Sequence, residues 1–128
     1  GKKSVMKKSM RMRKVLGGGM RQIGYMAGCG LFALQNHVER LKDDHQKAQD
    51  IAKFLHNLDY VKSVEPVETN IIIFYLDEKI EQNRFSDYLA DHNIRISQMG
   101  EGKWRLVTHL DYTDAMHEQF LQVLKDFK

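Results

Sequence analysis

The sequence holds one cysteine, Cys29, so it has no internal disulfide framework, a usage that fits a reducing compartment. It has one proline, and its glycines are scattered apart from a single run, which excludes collagen-like and low-complexity chains. No apolar stretch approaches the roughly 20 residues that a bilayer span requires. Six histidines show no paired metal-ligand spacing, and with a lone cysteine no zinc site is expected. Internal repeats are absent. What remains is ordinary for a chain that buries a core: 42% hydrophobic and 29% charged residues over 128 positions, the size of one domain. The first residue is Gly1 rather than Met, which points to a piece of something longer.

Acid is also missing from one region. Residues 1–38 contain Lys2, Lys3, Lys7, Lys8, Arg11, Arg13, Lys14 and Arg21 and no Asp or Glu, a charge of +8. The remainder has 12 basic and 17 acidic residues, a charge of −5, and the two sum to the net +3. An acid-free basic block must meet something anionic or repel itself. Nucleic acid, an anionic membrane, a phosphate ligand and an acidic surface of the same protein all satisfy that need. With Ser4 and Ser9 the block resembles a transit peptide in composition, but it is Lys-rich and runs directly into a helical pattern, which argues against targeting.

Periodicity predicts three helices followed by β-β-α-β-β-α. The first is a short, imperfectly amphipathic helix over 4–16, stopped by Gly17-Gly18-Gly19. Residues 20–36 read as a helix apolar on every side, expected to be buried over most of its surface with Cys29 as an inert core residue. The series Met6, Met10, Met12, Met20 and Met26 reads as packing. An amphipathic helix over 38–58 turns Val38, Leu41, His45, Ala48, Ile51, Ala52, Leu55 and Leu58 inward. Strands are expected at 60–64, ended by Pro66, and at 69–76. A helix over 80–92 buries Ile80, Phe85, Tyr88 and Leu89. Strands at 94–97 and 104–107 form a hairpin. A last helix starts near Thr113, capped by Asp111, with Phe120, Leu121, Leu124 and Phe127 inward. The fold class is α/β (α+β), with N-terminal helices and a small α/β layer unit. The boundary is placed after residue 36, giving 1–36 and 37–128.

The string Arg13-Lys14-Val15-Leu16-Gly17-Gly18-Gly19-Met20-Arg21-Gln22 resembles the segment after the cofactor lysine in the threonine aldolase (beta-eliminating lyase) family. The resemblance continues through Gly28 to Leu34, Leu41, Asp44-His45 and Thr69-Asn70, and closes with Trp104-Arg105-Leu106-Val107-Thr108-His109-Leu110-Asp111. These are pyridoxal-phosphate enzymes of the aspartate-aminotransferase fold type, and the resemblance implies a C-terminal part of one. Residues 1–36 would then be the end of the large domain with a Gly-rich phosphate loop, and 37–128 the small domain. The cofactor lysine and the group stacked on the cofactor ring would lie upstream; none of Lys2, Lys3, Lys7 or Lys8 sits in the cofactor-lysine motif.

A phosphate monoester carries close to two negative charges and needs cations and backbone N–H donors. Lys14 and Arg21 flank the glycine loop, and on their own they read as solvated charges near a helix end. The family pattern assigns them, with Gly18 and Gly19, to the cofactor phosphate, Arg21 reaching a neighbouring subunit's cofactor. Arg105, inside a strand between Trp104 and Leu106, reads alone as an edge arginine facing water. The resemblance makes it the fork that binds the substrate carboxylate. His109 with Thr108 and Asp111 reads as a polar cluster shaping the strand exit, and not as a catalytic triad.

The resemblance implies a cytoplasmic homotetramer that cleaves threonine or allo-threonine to glycine and acetaldehyde, in amino-acid metabolism and glycine biosynthesis. The 128 residues alone are expected to be inactive, to retain no cofactor, and to self-associate through 16–34. The alternatives are another pyridoxal-phosphate lyase acting on a different β-substituted amino acid, or a basic nucleic-acid-binding module. Against the last stand the net acidity of 39–128 and strands lacking aromatic and basic interleaving. Neither nucleic acid nor membrane is an expected partner.

Overall fold

The computed structural model describes residues 1–128. They divide into two compact units, 1–38 and 39–128.

The first unit consists of α1 (Lys3–Val15) and α2 (Gly24–Asn36). No residue of either helix is buried. This corrects the expectation for Cys29, which is exposed, and for Met6, Met10, Met12, Met20 and Met26, each more than half exposed. The apolar character of these helices is real, but no core within the chain uses it. The second helix also starts four residues later than its apolar run. Residues 21–23 form a turn in which Gln22 takes a left-handed φ of 54°, a conformation that a continuous helix does not admit.

The second unit is two layers. Its elements are α3 (Leu41–Leu55), β1 (Val61–Val64), β2 (Ile71–Leu76), α4 (Gln82–Asp91), β3 (Ser97–Gln98), β4 (Lys103–Val107) and α5 (Asp114–Asp126). The four strands form one antiparallel sheet in the order β1-β2-β4-β3. Alternation along β2 and β4 sends Ile72, Phe74, Leu76, Trp104 and Leu106 to the buried face, as a half-covered antiparallel sheet demands. There they meet Ala48, Ile51 and Leu55 of α3, Phe85 and Leu89 of α4, and Phe120, Val123 and Leu124 of α5 in one core cluster. Phe85 stands edge-on to Phe74, Trp104 and Phe127, with centroids 6.2, 5.5 and 5.1 Å away, an arrangement that aromatic quadrupoles favour. The buried indole Nε1 donates to Gln82 Oε1 at 2.8 Å. The other sheet face presents Ile71 and Val107, both nearly half exposed.

Several boundaries differ from expectation by one to four residues. The α3 helix begins at Leu41, and Val38 and Leu41 are exposed. Thr113, not Asp111, caps α5: its Oγ1 accepts from Met116 N–H at 3.2 Å, the ordinary service of an N-cap hydroxyl. The strand expected at 94–97 pairs only at Ser97 and Gln98. Ile94 and Ile96 still pack against the core, so side-chain alternation persists without the ladder. No helix is long and apolar enough to cross a membrane.

Candidate functional site

The first feature of the second unit lies on β4. This strand is inside the sheet, hydrogen-bonded to β2 on one side and β3 on the other. Arg105 pairs in register with Ile73 and Ser97, so it is not an edge residue facing water. It is half-buried, and its Nε is buried without a hydrogen-bond partner, the sole such side-chain N or O in the chain. Buried donors are nearly always satisfied, and leaving one unmade costs about 1–3 kcal/mol. Such an atom is a place where a ligand oxygen fits. Arg105 also lines a cavity of about 490 Å³ bounded by the 92–97 segment, the end of β4 and the start of α5.

The end of β4 is held firmly. Thr108 is 2% exposed. Its hydroxyl donates to the Asp44 carbonyl at 2.7 Å, its N–H donates to the Asn70 carbonyl at 3.0 Å, and its carbonyl accepts from Asn70 Nδ2 at 2.7 Å. Asp44 is itself buried and takes a two-pronged grip from Arg40, at 2.9 and 2.7 Å. The hydrogen bond to Asp44 holds the Arg40 guanidinium above its usual range. Asp44, Asn70 and Thr108, three residues of the family pattern, thus converge to tie α3 to the start of β2 and the end of β4. The sequence places Thr108 in a polar cluster at the strand exit but assigns no role to Asp44 and Asn70; burial of a charged residue paired four positions away is the signal for Asp44.

Other polar groups are structural. His109 Nδ1 accepts from Asp111 N–H at 3.3 Å in an exposed turn, and Thr108 is committed to backbone, so these residues form no nucleophile–base pair. Tyr112 lines the cavity, and burial pushes its phenol up to about 12. Its hydroxyl is 3.3 Å from His117 Nδ1, and burial holds that imidazole below its usual range. Lys47 binds the Tyr112 carbonyl at 2.8 Å and Asp114 at 2.7 Å, joining α3 to α5. Tyr75 and Lys103 both hydrogen-bond Glu65, at 2.7 and 3.1 Å, and hold its carboxyl below the usual range. No group of three His, Cys, Asp or Glu side chains could hold a metal ion.

In the first unit each glycine of the run has its own reason. Gly17 has φ +86°. Its N–H reaches the Lys14 carbonyl at 3.2 Å and the Gly18 N–H reaches Arg13 at 2.7 Å. This is the paired bonding that ends a helix at a left-handed residue. The chain then folds back so tightly that a Cβ on Gly18 would lie 2.9 Å from the Arg13 carbonyl oxygen, and one on Gly19 would lie 2.7 Å from Lys14 Cγ. The loop therefore runs against the two cations that precede it. Arg21 sits in the turn before α2 and not within the helix. The first turn of α2 has no acidic residue and no side-chain cap, so N–H donors stay available. Arg13 and Lys14 precede the glycine loop and Arg21 follows it, with no carboxylate in residues 1–38, a charge and residue type of the kind that a phosphate monoester requires.

Comparison with known proteins finds relatives of this chain. The family model described as beta-eliminating lyase matches residues 1–79. The chain is 35% identical over 124 residues to the probable low-specificity L-threonine aldolase 2 of Arabidopsis thaliana, covering 94% of this chain and 35% of that protein. It is 34% identical over 123 residues to the low specificity L-threonine aldolase of Escherichia coli (strain K12), covering 96% and 34%. The chain thus spans about a third of the length of these relatives. In fold it resembles the crystal structure of L-threonine-O-3-phosphate decarboxylase from Porphyromonas gingivalis, with a TM-score of 0.52 and 22% identity over 66% of this chain and 26% of that one. With more than half of its residues matched by the family model, the chain belongs to the beta-eliminating lyase family.

Proposed function

We propose that the protein containing this chain is a pyridoxal-phosphate-dependent aldolase that cleaves threonine or allo-threonine to glycine and acetaldehyde. Within it, Arg105 binds the substrate carboxylate, while Lys14, Arg21 and the backbone of Gly18 and Gly19 hold the cofactor phosphate. The observation that carries the reading is the buried, unpartnered Nε of Arg105 on a strand that lines a cavity. A guanidinium in such a place lacks an oxygen partner, and an amino acid brings a planar carboxylate that accepts two parallel hydrogen bonds. The names of the relatives support threonine as the substrate.

Bound cofactor supplies an electron sink for the pair released when Cα–Cβ breaks. This chain's residues bind and orient. Arg105 fixes the carboxylate and so restricts how the amino acid turns about Cα. Lys14 and Arg21 neutralise the phosphate. The cofactor lysine, and the base that takes the β-hydroxyl proton, are assigned to the remainder of the protein. A tetramer, in which Arg21 serves a neighbour, belongs to the same proposal.

The test uses full-length protein. Arg105→Ala should leave cofactor content unchanged and lower kcat/KM for threonine by at least some tens of fold, since a buried charge pair loses about 2–5 kcal/mol when one partner is removed. Arg105→Lys should recover little, because an ammonium lacks the planar fork. Lys14→Ala and Arg21→Ala should release cofactor on dialysis before they affect substrate binding. Near-normal kcat/KM in Arg105→Ala would remove the carboxylate role.

A further inference from the structure

The cavity beside Arg105 has a second unused cation. Residues 39–128 contain four arginines: Arg40, Arg84, Arg95 and Arg105. Arg40 is paired with Asp44. Arg84 bonds the Lys128 carbonyl and lies over the Phe127 ring, 5.3 Å from its centroid. Arg95 and Arg105 have neither an ion pair nor a side-chain hydrogen bond, and both line the same cavity of about 490 Å³. The lining also includes His92 and His109 and not one Asp or Glu. That selection is notable in a unit with 17 acidic residues and a charge of −5. The rest of the wall is largely apolar, with Ile51, Ile94, Leu106 and Phe120 among its residues, and an apolar wall strengthens charge-assisted hydrogen bonds.

Ser97 pairs with Arg105. Ile94 and Ile96 pack against the core and Arg95 is exposed, so the inward and outward alternation of β3 continues back through Arg95. Arg105 from β4 and Arg95 from the segment that leads into β3 both line the one cavity. Two long cationic side chains rooted there can take two anionic groups separated by a short carbon chain, and a lone carboxylate uses only one of them.

We infer that this cavity is a receptor for a ligand with two carboxylates, one at Arg105 and the other at Arg95. The matching substrates are β-hydroxy-α-amino acids whose β-substituent carries a carboxylate. The inference rests on the carboxylate role proposed for Arg105 and adds to it the identity of the group on the far side of the substrate.

The 128-residue chain is titrated with sodium acetate, disodium succinate and inorganic phosphate at low ionic strength, following the arginine Nε–H resonances. Succinate should bind about tenfold more tightly than acetate, one additional charge-assisted contact. Phosphate, equally charged but compact, should lack that advantage. Arg95→Gln should abolish the succinate advantage and leave acetate binding unchanged, while Arg105→Gln should weaken acetate itself. Arg95 is exposed, so its replacement does not threaten folding, and Arg105→Lys keeps the charge should the glutamine variant unfold. Succinate binding no better than acetate or phosphate, or an undiminished advantage in Arg95→Gln, would overturn the two-carboxylate inference. Acetate binding that ignores Arg105 would instead overturn the role on which it rests.

Discussion

The two units of the chain use apolar residues in opposite ways. In 39–128, leucine, isoleucine and aromatic side chains at strand and helix spacing find one another: Phe74, Phe85, Leu55 and Leu124 have no exposed surface. In 1–38 the residues are at least as apolar across α2, yet none is buried, and Tyr25 and Leu34 are more than two-thirds exposed. Charge divides the same way, with +8 and no acid in the first unit and −5 in the second. The contrast separates two meanings of an apolar pattern. Where it alternates with polar residues, the partner is within the chain. Where it covers a helix on all sides, the pattern states a need for covering that the helix's own neighbours do not meet. The residues proposed for the site respect the division: Arg105, proposed to bind a carboxylate, sits on the sheet, whereas Lys14, Arg21 and the glycine backbone proposed for the phosphate lie in the helical unit.

The largest expected effect comes from substituting a large apolar residue in each unit. Trp104→Ala removes a side chain packed against Phe85 and leaves Gln82 Oε1 without its donor. It should cost about 3–5 kcal/mol, read as a shift in urea midpoint by circular dichroism. Phe32→Ala in α2 should change stability by less than about 0.5 kcal/mol, as exposed positions do. Equal costs would erase the comparison. A smaller effect is expected at the helix end: Gly17→Ala forces a Cβ into the left-handed region, costing about 1 kcal/mol. It should shorten α1, seen as lost helical signal, with the melting of the sheet unit unchanged.

The smallest effect is a pH dependence belonging to the second unit alone. Burial depresses the His117 imidazole from its ordinary 6.5 in the folded chain. Its stabilising contribution is therefore present above 6.5 and lost as pH falls through the depressed folded value, because the unfolded chain takes up the proton first. The melting temperature should drop over that range, and His117→Gln should flatten the slope. An unaltered slope would mean that Asp50, Asp114 and Glu118 nearby compensate fully for the buried ring.

The sheet unit was legible because its physics is local. The β-branched run at 71–76 and the facing pattern of α4 and α5 each encode one buried side. The failures are equally physical. Alternation at Ile94 and Ile96 reports which side chains reach the core, not which backbones pair, so β3 was read too long. Asp111 and Thr113 are both competent caps, and only the geometry of the turn chooses between them. Cys29 was placed in a core because an apolar helix ordinarily has one. At the site, Arg105 was visible through its motif, but the orphaned Nε was not, since satisfaction of a donor depends on everything folded around it. Arg95 has no signal beyond its charge, and its relation to Arg105 comes from the cavity that both line.

Amide hydrogen exchange over the whole 128-residue chain tests the central contrast most directly. Protection should concentrate in β2, β4, α3 and α5, where backbone hydrogen bonds lie beneath a packed core. The amides of α1 and α2 should exchange orders of magnitude faster despite their helical hydrogen bonds. Protection of Gly24–Asn36 equal to that of β2 would contradict the account, because it would show the apolar helix already covered within the chain.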